Sequence, residues 1–293
     1  PANPELLMTM GLMYLDAERH ERAVELFQTF LETNPEDQKV RFLLGSALEA
    51  GKKHREALDA YGMIDPDAEF YVDTRVHIAV ILKNEKRTDE AIRSLKTAIA
   101  QKKQPGDYLY ILMATLHEEQ KDLPEAERTL QAGLAEQPKS RDILYSLGVL
   151  YEKTDRFEEA IRQMRRILEM DPDYADALNF IGYSYADRGI HLKEAEALIE
   201  KALKLKPGNG YITDSLGWVY FKQGRMDEAV RYLEEAARLL PDDPAVLEHL
   251  ADAYARTGRT QEALDLYRKT LERNPGKDTL QRKIGELLKK AGP

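Results

Sequence analysis

RDILYSLGVLYEKTDRFEEAIRQMRRILEMDPDY, residues 141–174, is the stretch whose reading decides the fold. Leu144, Leu147, Gly148 and Tyr151 fall at i, i+3, i+4 and i+7, which puts them on one face of an α-helix. Thr154-Asp155-Arg156 interrupts that pattern as a short turn. Phe157, Ala160, Ile161, Met164, Ile167 and Leu168 then line a second helical face. Asp171-Pro172 stops it, because proline lacks an amide donor and restricts the residue before it. The stretch therefore predicts two antiparallel helices, A and B, joined by a short connection.

Outward from this stretch the same pattern recurs. Gly11, Gly45, Ala79, Ala114, Gly148, Gly182, Gly217, Ala251 and Gly285 follow one another at 34 or 35 residues. A second small position recurs at Ala23, Ala57, Ala91, Ala126, Ala160, Ala195, Ala229 and Ala263. Pro35, Pro138, Pro172, Pro207, Pro241 and Pro275 close six of the repeats. A fixed interval of this length means that each repeat is one supersecondary element that stacks on its neighbours to bury its apolar face. The small residues belong where helix A and helix B cross closely, so a large side chain at Gly148 or Ala229 is expected to cost about 1–3 kcal/mol. Glu158/Arg162, Asp227/Arg231, Glu234/Arg238 and Asp265/Lys269 stand at i, i+4 and are expected to pair on exposed helix faces.

The repeat resembles the tetratricopeptide family over the whole chain. The matching residues are Leu147-Gly148 with Tyr151, Leu216-Gly217 with Tyr220, the helix-B Ala and the closing Pro. The resemblance implies an all-α, right-handed superhelical solenoid of antiparallel helix pairs. The expected repeats are 4–37, 38–71, 72–106, 107–140, 141–174, 175–209, 210–243 and 244–277, with a capping helix over 278–291.

Three places depart from the pattern. In repeats 2 and 3 the spacing about Pro66 and Pro105 changes and Gly62 weakens helix B, so a loop near Asp65–Phe70 is expected, either a drifted connection or a hinge or recognition loop. Repeat 6 carries one extra residue near Ile190-His191. Leu6, Leu7, Met8, Met10, Leu12 and Met13 leave the first helix apolar nearly all round, so upstream repeats, a partner or a self-contact are expected to cover it. At the other end Leu280, Ile284, Leu287 and Leu288 form one apolar face, with Arg282, Lys283, Lys289 and Lys290 elsewhere.

Composition narrows the function. With 43% hydrophobic and 32% charged residues the 293-residue chain reads as a folded protein with a charged exterior. Its 52 acidic and 43 basic residues give a formal charge of -9, against broad binding of nucleic-acid phosphates. The densest basic stretch, Arg162, Arg165 and Arg166, is embedded among Glu158, Glu159 and Glu169 and reads as a solvated helix face. The absence of cysteine excludes disulfides, thiolate metal sites and cysteine nucleophiles in this chain. No apolar run reaches the length of a membrane span. His20, His54, His77, His117, His191 and His249 are scattered without metal-ligand spacing. Gly208-Asn209-Gly210 lacks the Lys-Ser/Thr of a phosphate loop. No catalytic residue, cofactor or metal is expected, and the chain reads as non-enzymatic.

What remains is a surface. The family resemblance assigns the helix-A face beside the small-residue core to the concave groove that binds ligands. Across repeats 4 to 7 it offers Tyr108, Ile111, Tyr145, Val149, Asn179, Tyr183, Asp187, Asp214, Trp218 and Phe221. Aromatic rings beside Asn and Asp suit a protein or extended-peptide partner, although packing between repeats competes for Trp218 and Phe221. The Lys/Asn carboxylate clamp that some family members use on chaperone tails is not recognisable here. Residues 177–189 and 214–225 are moreover similar to segments of exported proteobacterial lipoproteins, including adaptors that deliver substrates to a processing protease. That similarity implies a scaffold in the bacterial envelope, tethered by an upstream lipidated Cys. The competing expectations are the substrate-recognition arm of a larger enzyme and a part of a secretion, pilus or polysaccharide assembly complex, with the cytoplasm as the alternative location.

Overall fold

The computed structural model describes residues 4–101, 106–273, 275–276 and 278–291. Pro105, one of the positions about which the spacing changes, lies outside them. Among the described residues every regular element is helical. The pairs are α1 (Pro4–Asp16) with α2 (His20–Thr33), α3 (Gln38–Ala50) with α4 (His54–Gly62), and α5 (Tyr71–Asn84) with α6 (Thr88–Gln101). Then come α7 (Asp107–Glu119) with α8 (Leu123–Glu136), α9 (Arg141–Lys153) with α10 (Phe157–Met170), and α11 (Ala175–Arg188) with α12 (Leu192–Leu205). The last are α13 (Gly210–Gln223) with α14 (Met226–Leu239), α15 (Pro244–Arg256) with α16 (Thr260–Arg273), and α17 (Asp278–Ala291). The chain divides into two compact bodies, Pro1–Leu147 and Gly148–Pro293.

Within the pairs, the crossing is made as the small residues predict, with one refinement. A Cβ added at Gly45 would lie 2.4 Å from the Tyr61 ring, at Gly182 2.5 Å from Ile199 Cγ1, and at Gly217 2.7 Å from Leu233 Cγ. Each blocking side chain sits four residues after the helix-B Ala, one turn further along than the Ala itself. The helix-B alanines are all fully buried, from Ala23 to Ala263. At Gly285 of α17 the added Cβ meets nothing.

The turn from A to B shares one left-handed position in all eight repeats. The residue seven after the small one takes a left-handed backbone: Glu18, Lys52, Lys86, Lys121, Asp155, Gly189, Gly224 and Gly258. The next amide bonds back to a carbonyl near the end of helix A, as in Arg156 N to Tyr151 O at 2.8 Å and Arg225 N to Tyr220 O at 2.9 Å. That next residue is often Arg, and its guanidinium lies over the helix-A Tyr: Arg156 on Tyr151 (4.3 Å), Arg225 on Tyr220 (4.2 Å) and Arg259 on Tyr254 (3.7 Å). The extra residue of repeat 6 is absorbed here by a second left-handed residue, His191 with φ 47°.

The same Tyr reaches backward to the preceding helix B. Tyr254 donates to Glu234 at 2.8 Å, and Tyr185 accepts from Arg165 at 2.9 Å. Burial and the neighbouring carboxylates push Tyr220 and Tyr254 up to about 12. Repeat 4 carries His117 at this position, too short to span the gap. It is 6% exposed, and neither ring nitrogen has a partner. Burial accordingly pushes its pKa down from 6.5.

The helix-surface ion pairs differ from the expected i, i+4 set. Glu234 pairs with Arg259 at 2.7 Å, and Lys269 reaches Asp242 at 3.6 Å, in both cases bridging different helices or loops. The turn Arg residues instead clamp a Glu three residues on, as in Arg225–Glu228 (2.8 Å). In repeat 2, α4 is only nine residues long and ends at Gly62. The connection after it is tied down: Ile64 is buried, the Asp65 amide donates to Gln38 Oε1 at 2.9 Å, and Phe70 stacks on Phe42. Of the first-helix apolar residues, Leu7 and Met8 pack on the core of their body, whereas Leu6 and Met13 are exposed. On α17, Leu280 and Leu287 are buried and Leu288 is exposed.

Candidate partner-binding face

In the C-terminal body, α11 packs directly on α13, and α13 on α15. The B helices reach the next repeat through its A helix, α12 on α13 and α14 on α15. The A helices therefore form one surface on which equivalent positions of successive repeats become neighbours. Asn179 and Asp214 occupy the position three before the small residue on α11 and α13, and Tyr183 and Trp218 the position one after it.

Trp218 is the centre of this surface. Its ring stacks on His249 of α15 (4.1 Å between centroids, 16° between planes) and on Phe221 (4.8 Å, 5°), and Lys222 Nζ lies 4.9 Å from its centroid. These contacts leave it 7% exposed, with indole Nε1 lacking a hydrogen-bond partner. Asp214, 6% exposed, bonds His249 Nδ1 through Oδ2 at 2.8 Å, and its Oδ1 has no partner. Asn179 Oδ1 is also unpartnered, and so is Glu152 Oε2, whose other oxygen accepts from Arg188 at 2.6 Å. Buried polar atoms are ordinarily hydrogen-bonded, and each that is not costs about 1–3 kcal/mol.

Tyr183 stands between these groups. It is half-buried, its ring lies 6.2 Å from His249, and no hydrogen bond holds its hydroxyl within the described chain. Burial, then the charges of Asp187, Asp214, Glu152 and Glu248, push its pKa far up. Asp187 is exposed, and Lys222 Nζ reaches only its backbone carbonyl, at 2.7 Å. Further along, Lys283 of α17 bonds Asp252 (2.7 Å) and Glu248 (3.0 Å), and Asp252 also accepts from Tyr267 at 2.5 Å. Burial works against the Lys283 charge, but these carboxylates outweigh it and raise its pKa.

The expected groove residues thus divide. Val149, Asn179, Tyr183, Asp187, Asp214, Trp218 and Phe221 belong to the C-terminal body, all but Val149 on the two A helices, α11 and α13, that pack together. Tyr108, Ile111 and Tyr145 belong to the N-terminal body, where Tyr108 is 40% exposed and the other two half-buried. Sequence reasoning passed over His249 and Lys283. Both sit two before the small residue, and each reaches back to an acid three before the small residue of the preceding repeat. A histidine 35 residues after Asp214, nearly one repeat on, was the available signal. Among the described residues no group of three or more His, Cys, Asp or Glu is arranged to hold a metal ion, and no helix is long and apolar enough to cross a membrane.

The N-terminal body carries a second aromatic cluster on its A helices. Phe42 of α3 stacks on Phe70 (5.3 Å), and Tyr61 on His77 of α5 (5.3 Å). Here the polar atoms are matched. Glu49 Oε2 accepts from the Tyr61 hydroxyl at 2.9 Å and meets His77 Nδ1 at 2.8 Å. The Glu49 hydrogen bond raises the His77 pKa, and its bonds to His77 and Tyr61, outweighing burial, lower that of Glu49.

This stack of helix pairs is the architecture of the tetratricopeptide repeat, and the chain belongs to that family. One family model of the repeat matches residues 8–68, 145–210 and 215–278, and a second matches 82–144. A TPR repeat-containing protein of Pseudomonas aeruginosa is 31% identical over 190 residues, 65% of this chain and 32% of that protein. The peroxisomal targeting signal receptor of Candida glabrata is 26% identical over 106 residues, 36% of this chain and 18% of the receptor. The aligned stretches therefore span a third or less of these relatives. A tetratricopeptide repeat protein of Parabacteroides merdae superposes with TM-score 0.61 at 14% identity, over 97% of this chain and 98% of that one.

Proposed function

We propose that the chain is a non-enzymatic scaffold that binds an extended segment of a partner protein on the A-helix face of its C-terminal body. The observation that carries this reading is the unmatched polarity around Trp218: a buried donor, Trp218 Nε1, and buried acceptors, Asp214 Oδ1 and Asn179 Oδ1, on neighbouring helices. An extended backbone presents N–H and C=O groups in alternation, so it can satisfy both kinds at once where the side chains that cover these atoms turn aside to admit it. Tyr183 and Phe221 supply apolar flanks for its side chains. On this reading Val149 belongs to the same body's surface, and Tyr108, Ile111 and Tyr145 offer a separate contact on the N-terminal body.

The proposed setting is the bacterial envelope, where the chain acts as an adaptor that brings substrates to a processing protease. The Pseudomonas relative supports a bacterial source, and the similarity of residues 177–189 and 214–225 to exported lipoproteins supports the envelope. Binding to a cellulose-bound library of capped random nonapeptides tests the peptide reading. The wild-type chain is expected to retain a subset of spots, and Tyr183→Ala and Asn179→Ala to lose them with helical circular dichroism unchanged. Retention of the same spots by both variants would remove the face from consideration.

A further inference from the structure

Helices α1 and α17 are A helices with opposite deficits. Helix α17 packs on α16 of the repeat before it, and no helix B follows it among the described residues. Its Leu280 and Leu287, five before and two after the small residue, are buried, whereas a Cβ at Gly285 meets nothing and Leu288 is 48% exposed. Helix α1 is the reverse. Its small residue is covered by its own helix B, a Cβ at Gly11 lying 2.4 Å from the Phe27 ring. Leu6 and Met13, five before and two after, are 55% and 66% exposed. These two positions therefore form the seat of a preceding helix B. In every helix A from α3 onward, and in α17, they are at most 9% exposed, as with Val40 and Ala47 of α3, which packs on α2.

Helix α1 and its turn also carry the polar half of that contact. Tyr14 and Arg19, three and eight after the small residue, stand where Tyr254 and Arg259 stand in repeat 8. There both reach one acid of the preceding helix B: Glu234 of α14 accepts from the Tyr254 hydroxyl at 2.8 Å and from Arg259 at 2.7 Å. Tyr220 and Arg225 of repeat 7 reach Glu200 and Glu196 of α12 in the same way, at 3.4 and 2.8 Å. Repeats 2 to 4 have Leu48, Leu82 and His117 at the tyrosine's place, so the repeat does not require this device. In repeat 1 it has nothing to hold. The Tyr14 hydroxyl makes no hydrogen bond and the Arg19 side chain no ion pair among the described residues. Both line one open hollow with Met10, Met13 and Ala17.

We propose that α1 docks an amphipathic helix of another protein, which lies antiparallel to it as a helix B does and brings a glutamate to Tyr14 and Arg19. Apolar residues of that helix cover Leu6 and Met13, and its glutamate accepts charge-assisted hydrogen bonds from the phenol and the guanidinium. A second copy of this chain has no such helix to spare. Its helices B lie on the helices A that follow them, as α2 does on α3, α14 on α15 and α16 on α17. Helix α1 belongs to the N-terminal body, so this site stands or falls apart from the one around Trp218.

The chain's own α14, whose Glu234 plays this part for repeat 8, supplies the probe. It is a capped, fluorescein-labelled peptide with the sequence of Met226–Leu239, stapled between the exposed positions 231 and 235 to hold it helical. Fluorescence anisotropy with the full chain is expected to show saturable binding, and the peptide with Glu234→Gln should bind roughly ten-fold weaker. Leu6→Glu and Met13→Glu, at exposed positions where folding is not in question, should each abolish binding, and Tyr14→Phe should narrow the gap between the two peptides. Unchanged binding to the Met13→Glu chain, or no binding at millimolar peptide, overturns the docking surface. Equal binding of the two peptides overturns the role of the glutamate. A chain that sediments as a dimer and becomes a monomer on Met13→Glu puts a second copy on α1 and overturns the partner helix.

Discussion

The aromatic clusters on the A-helix surfaces of the two bodies are built on the same repeat, yet the polar atoms of one satisfy each other and those of the other do not. In the N-terminal body, Glu49 takes up the Tyr61 hydroxyl and the His77 ring, and Phe42 and Phe70 stack over them. In the C-terminal body, Trp218, Asp214 and Asn179 each keep a buried polar atom with no partner among the described residues. The scaffold fixes where side chains stand and leaves open whether they satisfy one another. Where they do, the surface contributes stability; where they do not, that contribution is missing.

The contrast breaks most visibly at its tyrosines. Tyr61 is fully buried and both packed and bonded, so Tyr61→Ala should cost the N-terminal body about 3–5 kcal/mol in denaturant unfolding. Tyr183 is half-buried with a free hydroxyl, so Tyr183→Ala should cost about 1 kcal/mol or less while abolishing peptide binding. Similar losses from the two changes would mean that the two surfaces are packed alike.

The next effect lies at His117, where the N-terminal body fails its own rule. His117→Tyr lets a hydroxyl reach Lys96, the counterpart of Arg165 beside Tyr185, and should add about 1–2 kcal/mol. Its pH dependence has a definite sign. The folded pKa is lowered from 6.5, so as pH falls through 6.5 the unfolded chain gains a proton that the folded chain refuses. Stability is full above that pH and declines from there down to the lowered value. His77, with its raised pKa, acts in the opposite sense: its contribution is full below 6.5 and is lost as pH rises through the raised value. The difference between wild type and His117→Tyr in unfolding between pH 5 and 8 isolates the His117 contribution.

These cases also show what a reader of the sequence could and could not see. The helix pairs were legible because Gly45, Gly182 and Gly217 stand where Tyr61, Ile199 and Leu233 pass within 2.4–2.7 Å of an added Cβ, and the same position elsewhere takes only Ala or Gly. Steric necessity of that kind leaves a residue type at a fixed interval. The left-handed turn residue was less legible, since Lys52, Lys86 and Asp155 fill it as well as Gly224 does. The Asp214–His249 pair was invisible from one repeat, because its members stand on different helices and at different repeat positions. Spacing assigns a side chain to a face, whereas hydrogen-bond satisfaction depends on what the neighbouring repeat presents.

A smaller pair of changes sharpens the comparison by its sign. Asn179→Leu removes an unmatched acceptor and should stabilise the C-terminal body by about 1 kcal/mol while weakening peptide binding. Ser46→Ala removes a hydroxyl 3.3 Å from that of Tyr61 and should destabilise the N-terminal body by about 0.5–1 kcal/mol. Thermal unfolding of both variants reads the two signs. The framework has a control of about the same size: Gly285→Ala, which meets nothing, should gain about 0.5–1 kcal/mol from helix propensity. Gly182→Ala, which meets Ile199 and the Ala195 carbonyl, should instead lose stability.

Amide and indole chemical shifts of the labelled chain, followed as a nonapeptide retained from the capped library is added, test most directly whether the Trp218 cluster takes a ligand and the Phe42 cluster does not. The account predicts that the Trp218 indole N–H and the amides of α11 and α13 near Asn179 and Asp214 move, while those of α3 and α5 around Phe42 and His77 stay in place. Movement centred on Phe42 and His77 with Trp218 unchanged would contradict it.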